Sequence, residues 1–191
     1  MTRWEPNARG RLELAALELY GERGYDQTTV AEIAKRAGLT ERTFFRHFAD
    51  KREVLFYGAR MLQDSLVRVI ADAPTGLPPI DAVGASLEAV AGQLEERRDL
   101  ARQRQAIVAA TPELLERELI KLASLSAALA GALRRRGVTD PAAILAAEAG
   151  VAVFRVAFQR WTSQSADSGG QTLAQLIRQS LAELKAVTAG R

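Results

Sequence analysis

The chain has 191 residues, a formal net charge of +3, 48% hydrophobic and 26% charged residues, and no cysteine. This length and balance fit one or two small soluble cores and exclude a disordered or fibrous chain. Without cysteine there is no disulfide framework and no Cys-based metal site, and 6% aromatics beside abundant Ala and Leu favour helix over sheet.

The N-terminus, MTRWEPNARG, has no apolar core and does not read as a signal peptide. Residues 8–23 form the first predicted helix, with Leu12, Ala15, Ala16, Leu19 and Tyr20 at helical spacing. Gly24 stops it and Tyr25 folds back on it. Thr29 and Glu32 make a T-x-x-E capping box that opens a short helix, Val30 to Ala37. Gly38 ends this helix, and Thr40 caps the next, Glu41 to Phe48. Asp50 and Glu53 make a second box, starting a longer helix that runs to about residue 69.

Ala73 to Pro79 holds three of the six prolines and marks a boundary. Beyond it, Ile80, Val83, Leu87, Val90 and Leu94 line one helix face, and a shorter Arg-rich helix spans 99–110. Thr111-Pro112 starts a long helix up to Gly137, and Asp140-Pro141 starts another to about Ser163. Ser165 to Gly170 is a polar loop, and a last helix carries Leu173, Leu176, Ile177, Leu181, Leu184 and Val187. Residues 141–158 are the most membrane-like window, but it contains Glu148 and Arg155. Arginine at mid-bilayer costs about 2.5–3.5 kcal/mol, which alanines do not offset, so this window reads as a buried helix with no membrane role.

The chain therefore reads as all-α with about nine helices. Two short helices joined by a three- or four-residue turn are a helix-turn-helix, over about 29–48 of a three-helix domain at 1–50. A connecting helix covers 51–72 and a second helical domain covers 80–191.

The stretch TERTFFRHF, Thr40 to Phe48, contains three of the six phenylalanines and the only histidine. Phe44 and Phe48 stand at i and i+4 and pack inward. Glu41, Arg42 and Thr43 sit at the helix start, where such helices reach base edges in the major groove. Phe45, Arg46 and His47 lie off the buried stripe. Residues 35–52 hold six Lys/Arg against two Asp/Glu, a local basic patch of the kind a nucleic-acid footprint needs, and equally of the kind a solvated face shows.

TTVAEIAKRAGLTERTFFRHFADKREVL, Thr28 to Leu55, closely resembles the DNA-binding segment of TetR-family transcriptional regulators, and Leu12 to Asp26 is similar to that family's first helix and turn. The resemblance implies a cytoplasmic, bacterial, nucleoid-associated protein that binds an operator in double-stranded DNA. It implies contacts from Thr28 and Thr29 to the backbone, with Thr29 equally readable as a plain N-cap, and from Thr40, Glu41, Arg42 and Thr43 at the start of the recognition helix. Arg42 would take a guanine edge or a phosphate, and Glu41 a cytosine amino group or simply the helix dipole. Phe45 replaces the family's usual tyrosine and would meet a thymine methyl or a sugar. Arg46 would lie toward the groove or its walls, His47 at the backbone and Lys51 on a phosphate.

The second domain would then be a ligand-binding and dimerisation domain, with residues 141–163 and 171–188 pairing in a homodimer as a four-helix bundle. The stretch ERRDLARQRQAIVAATPELLERELIKLASL and Ala146 to Trp161 resemble a subgroup described as binding acyl-CoA-like ligands. On that resemblance Phe154, Phe158 and Trp161 would line an apolar tunnel, and Arg102, Arg104 or Arg155 would meet phosphates. The alternative for Arg155 is a buried ion pair with Glu148 or a bridge across the dimer.

The function this implies is a homodimeric repressor released from a palindromic operator by a small molecule. An activator of the same fold, or a helical ligand-binding protein without DNA readout, are the alternatives. No catalytic residue is expected: HExxH, P-loop, G-x-G-x-x-G and nucleophile-elbow motifs are all absent, and a lone histidine gives neither a metal site nor a catalytic dyad.

Overall fold

The computed structural model describes residues 8–164 and 170–190, and the polar loop expected at 165–170 lies largely outside them. The described residues form nine α-helices and no strand, as expected for an all-α chain: α1 Ala8–Arg23, α2 Val30–Arg36, α3 Glu41–His47, α4 Tyr57–Asp72, α5 Pro79–Glu95, α6 Arg98–Ala110, α7 Pro112–Arg135, α8 Asp140–Ser163 and α9 Leu173–Thr188. A 3-10 turn, Glu53–Phe56, precedes α4. The chain divides into two units: Met1–Arg60 with Arg102–Glu118, and Met61–Ala101 with Leu119–Arg191.

In the first unit α1 buries Leu12, Ala15, Ala16, Leu17, Leu19 and Tyr20. Gly24 takes φ +84°, the left-handed cap that a side chain would strain, and Tyr25 returns to put its ring 5.2 Å from that of Tyr20. The capping box forms: Thr29 Oγ1 accepts from the Glu32 amide at 3.3 Å and Glu32 Oε2 accepts from the Thr29 amide at 2.9 Å. Thr40 Oγ1 accepts from the Thr43 amide at 3.2 Å and starts α3.

Two arginines lock α2. Arg11 of α1 donates to the carbonyl oxygens of Ala37 and Gly38, supplying positive charge at the helix C-terminus. Arg36 grips Glu18 and Glu22 at 3.0 and 2.9 Å.

The helix expected from Glu53 begins instead as the 3-10 turn. The Asp50 carboxylate accepts from the amides of both Arg52 and Glu53, at 2.8 and 3.2 Å, which holds the chain in a tight turn. Glu53, needed to close the second capping box, pairs with Arg117. The 102–118 segment packs here too: Gln103 Nε2 donates to Leu17 O at 3.0 Å and Arg104 Nε to Leu55 O at 2.7 Å.

The core of the second unit gathers Leu66 and Ile70 of α4, Val83, Leu87 and Val90 of α5, Leu129 and Leu133 of α7, Trp161 of α8, and Leu176 and Ile177 of α9. Gly150 lets α8 meet α5: a Cβ there would lie 2.2 Å from Val83 Cγ1. Glu95 knots three helix ends, accepting from Trp161 Nε1 at 3.2 Å and from the Leu173 amide. Arg136 donates to the carbonyl oxygens of Ile70, Ala73 and Pro74, capping the end of α4.

α8 is long and apolar enough to cross a membrane by composition alone, yet Ala143, Ala146, Ala147, Gly150, Val151, Val153, Ala157 and Trp161 pack inward.

Candidate nucleic-acid interface

α3 stands on an aromatic base. Phe44 is fully buried, its ring 5.5 Å from that of Phe48, which in turn meets Tyr57 at 6.1 Å. With that side fixed, Glu41, Arg42, Phe45 and Arg46 are exposed, while Thr43 and His47 are half-buried at the flank. Arg42, Phe45 and Arg46 stand at i, i+3 and i+4 and form one outward face. The exposed guanidiniums, each free to turn toward an anion, and the helix start suit a groove lined with phosphates and base edges.

The threonines divide by depth. Thr28 is 1% exposed and its hydroxyl donates to Gly24 O at 2.9 Å, so it braces the loop before α2. Thr29 and Thr40 are exposed N-caps. Thr40 and Thr43 hydroxyls lie 3.1 Å apart. Lys51 also turns inward: its ammonium donates to Tyr25 O and Thr28 O at 3.0 and 3.1 Å and sits 4.1 Å from the Tyr25 ring centroid.

His47 Nδ1 accepts from Arg9 Nε at 3.4 Å, which leaves the ring proton on Nε2. Burial, then the charges of Arg46 and Arg9, hold this imidazole below its ordinary pKa, so it is neutral at pH 7. Arg9 also lies 5.5 Å from the Tyr57 ring centroid. The supporting roles of Arg9 and Arg11 were not legible in the sequence, because their partners lie 38 and 26 residues away.

The residues expected at a ligand are divided between the two units. Arg102 and Arg104 belong to the first unit, and Arg104 is occupied there: it binds Leu55 O, pairs with Glu118 at 2.9 Å and stacks 4.8 Å from the Phe56 ring. In the second unit the rings of Phe154, Phe158 and Trp161 form a series at 5.5 and 5.6 Å. Trp161 is fully buried and the two phenylalanines are half-buried against the core. Arg155 and Glu148 are both exposed, and Glu148 accepts from Ser126 at 2.7 Å, so no buried ion pair forms. The alanine-rich stripe is the buried one, and both charges fall outside it. An open surface hollow of about 340 Å³ is lined by Arg160, Ser163, Gln164, Gln171, Leu176 and Gln179, none of them in the expected set.

Two family matches cover most of the sequence. Residues 14–57 match the bacterial regulatory proteins of the tetR family, and residues 77–189 match the MftR C-terminal domain. The transcriptional regulator TcmR of Streptomyces glaucescens is 35% identical over 88 residues, 46% of this chain and 39% of that protein. The transcriptional activator FasR of Mycolicibacterium smegmatis is 35% identical over 65 residues, 34% of this chain and 30% of that protein. The chain thus spans about two fifths or less of the length of these curated relatives. In fold it is similar to FadR of Bacillus subtilis in complex with stearoyl-CoA, with TM-score 0.60, 20% identity, and 92% and 96% of the two chains covered. It is also similar to SmeT, the repressor of a Stenotrophomonas maltophilia multidrug efflux pump, with TM-score 0.56, 19% identity, and 94% and 89% covered.

Proposed function

Because the chain belongs to the TetR family of bacterial transcriptional regulators, we propose that it works as a cytoplasmic homodimer that reads a palindromic operator with α3 and leaves it when a small molecule binds. The observation that carries this reading is the outward face of α3, where Arg42, Phe45 and Arg46 are exposed over a fully packed Phe44. This face combines an apolar ring with two cations beside the capped start of the helix, which suits a groove of base edges and phosphates.

Arg42 takes a guanine edge, and Arg46, Thr29, Thr40 and Thr43 hold phosphates or base edges beside it. Thr28 and Lys51 support the loop that presents α2. His47, neutral, supports the flank of α3 with its Nε2 buried.

The second copy docks on α8 and α9. On α8, Ile144 is 41% exposed, Leu145 70% and Val156 43%, an apolar strip beside the exposed Arg155. Covering it with the same strip of a partner removes this apolar surface from water, as a two-fold interface does. Arg155 then faces the partner.

The effector is a small amphipathic molecule of the acyl-CoA type, its tail directed at the Phe154 and Phe158 rings of the second unit. It releases DNA by preferring the non-binding geometry of the dimer, since equal affinity for both states shifts nothing. A repressor is the primary reading, because release by effector needs only that preference. An activator with the same head is the second reading, favoured by the relative named as one.

Selection from random duplex DNA with the full chain, at about 150 mM salt, tests the reading. Enrichment of one palindrome supports it, and recovery of bulk sequence with only salt-sensitive binding contradicts it. A thermal-shift series with acyl-CoA, free fatty acid and CoA then tests the effector class. A shift with the acyl-CoA alone supports it, and none with any of the three contradicts it.

A further inference from the structure

Arg98 opens α6 and is half-buried. Its Nη2 donates to Trp161 O at 3.0 Å and to Gln164 Oε1 at 3.4 Å, and its guanidinium carbon lies 5.6 Å from the Trp161 ring centroid. It forms no ion pair among the described residues, and its Nε is buried without a hydrogen-bond partner. A cation drawn partly out of water with no carboxylate beside it is costly, and so is a buried donor left unmade. One anion relieves both costs.

The surroundings of this cation describe the rest of such a ligand. Trp161 ends a series of rings along α8, with Phe158 at 5.6 Å and Phe154 a further 5.5 Å back. Phe154 and Phe158 stand on the inward stripe of α8, three residues from the buried Val151 and Trp161 respectively, yet both are only half-buried. Apolar ring surface therefore stays open where its neighbours are sealed. Arg98 and the three rings all belong to the second unit. Of the arginines expected at a phosphate, Arg155 is exposed on the outer side of α8 and Arg104 is engaged in the first unit. An apolar track that ends on a cation without a carboxylate fits a molecule with an apolar chain and an anionic end.

We propose that Arg98 is the anion-binding residue of the effector site, holding the carboxylate or phosphate of a molecule whose apolar chain lies on Phe158 and Phe154. This rests on the amphipathic effector given above and names the residue that recognises its charge.

Calorimetric titration of the full chain with decanoate, decyl phosphate and uncharged decanol tests this. The wild-type chain should bind at least one of the anions about tenfold more tightly than decanol, the worth of a hydrogen bond to a charged group. Which anion binds better tells carboxylate from phosphate. Arg98→Gln should bind the anions and decanol equally, with the wild-type affinity for decanol. Arg98→Lys, still cationic, should keep part of the preference. Thermal melting of the ligand-free variants checks that both retain the fold.

A wild-type chain that binds decanol as tightly as both anions would overturn the assignment, as would an Arg98→Gln variant that keeps the full anion preference. Loss of decanol and anion affinity alike in Arg98→Gln would also overturn it, because Arg98 would then only brace Trp161. Binding of none of the three by the wild-type chain would instead overturn the amphipathic effector on which the inference stands.

Discussion

The ammonium of Lys51 donates to the carbonyl oxygen of Tyr25 at 3.0 Å and lies 4.1 Å from the centroid of the same residue's ring. Tyr20 completes the arrangement by donating its hydroxyl to Lys51 O at 2.7 Å. A lysine whose place in the sequence implies a DNA phosphate thus ties the loop before α2 to the turn after α3. In this way it helps place the two helices.

Lys51→Ala removes two charge-assisted hydrogen bonds and a cation–π contact. Unfolding stability should fall by about 2 kcal/mol, measured by urea denaturation. The slope of log affinity against log salt should stay as it is. A slope shallower by about 0.9 would return Lys51 to a phosphate.

Arg42→Ala should relax specificity at particular bases, costing about 1–3 kcal/mol on the preferred site and less on others. Affinities for a panel of single-base operator variants read this out. Uniform weakening across the panel would assign Arg42 to the backbone.

His47 is the only histidine, so its ring gives one resolvable set of NMR signals. Its pKa should lie below the ordinary 6.5, through burial first and then Arg46 and Arg9. Below pH 6.5 the unfolded chain takes up a proton that the folded chain resists, so this residue costs stability as pH falls below that value and has no effect well above it. Arg9→Ala should raise the pKa. A pKa unmoved by that change would show that Arg9 does not act on the ring.

Much of this was legible in the sequence, and the failures share one cause. Capping boxes and helical stripes are local, so α1 to α3 and the burial of Phe44 and Phe48 follow from spacings of three and four. The partner of Glu53 was not legible, because Arg117 lies 64 residues further on. Arg104 looked free for a ligand because Leu55 O and Phe56, which engage it, lie about 50 residues away. The pairing of Glu148 with Arg155 failed for a different reason. Two turns on a helix bring residues to one side but do not decide that the side is buried.

Arg104→Ala should lower stability by about 2 kcal/mol, since a half-buried guanidinium that satisfies a backbone carbonyl is removed. Arg104→Lys should recover only part, because a lysine does not both stack on Phe56 and fork to two acceptors. Unchanged stability in Arg104→Ala would show that the guanidinium is available to another partner.

Leu145→Glu places a charge at the most exposed apolar position of α8. The variant should sediment as a monomer with its helix content intact, and the wild-type chain as a dimer. Equal sedimentation of the two would move the interface elsewhere.

The most direct measurement is the ratio of affinities for the selected palindrome and a scrambled duplex of the same length and salt, with the number of chains bound to each. A ratio of about 10³ or more, with two chains per palindrome, is the predicted result. A ratio near one would contradict the account, because α3 would then hold DNA by charge alone and read nothing.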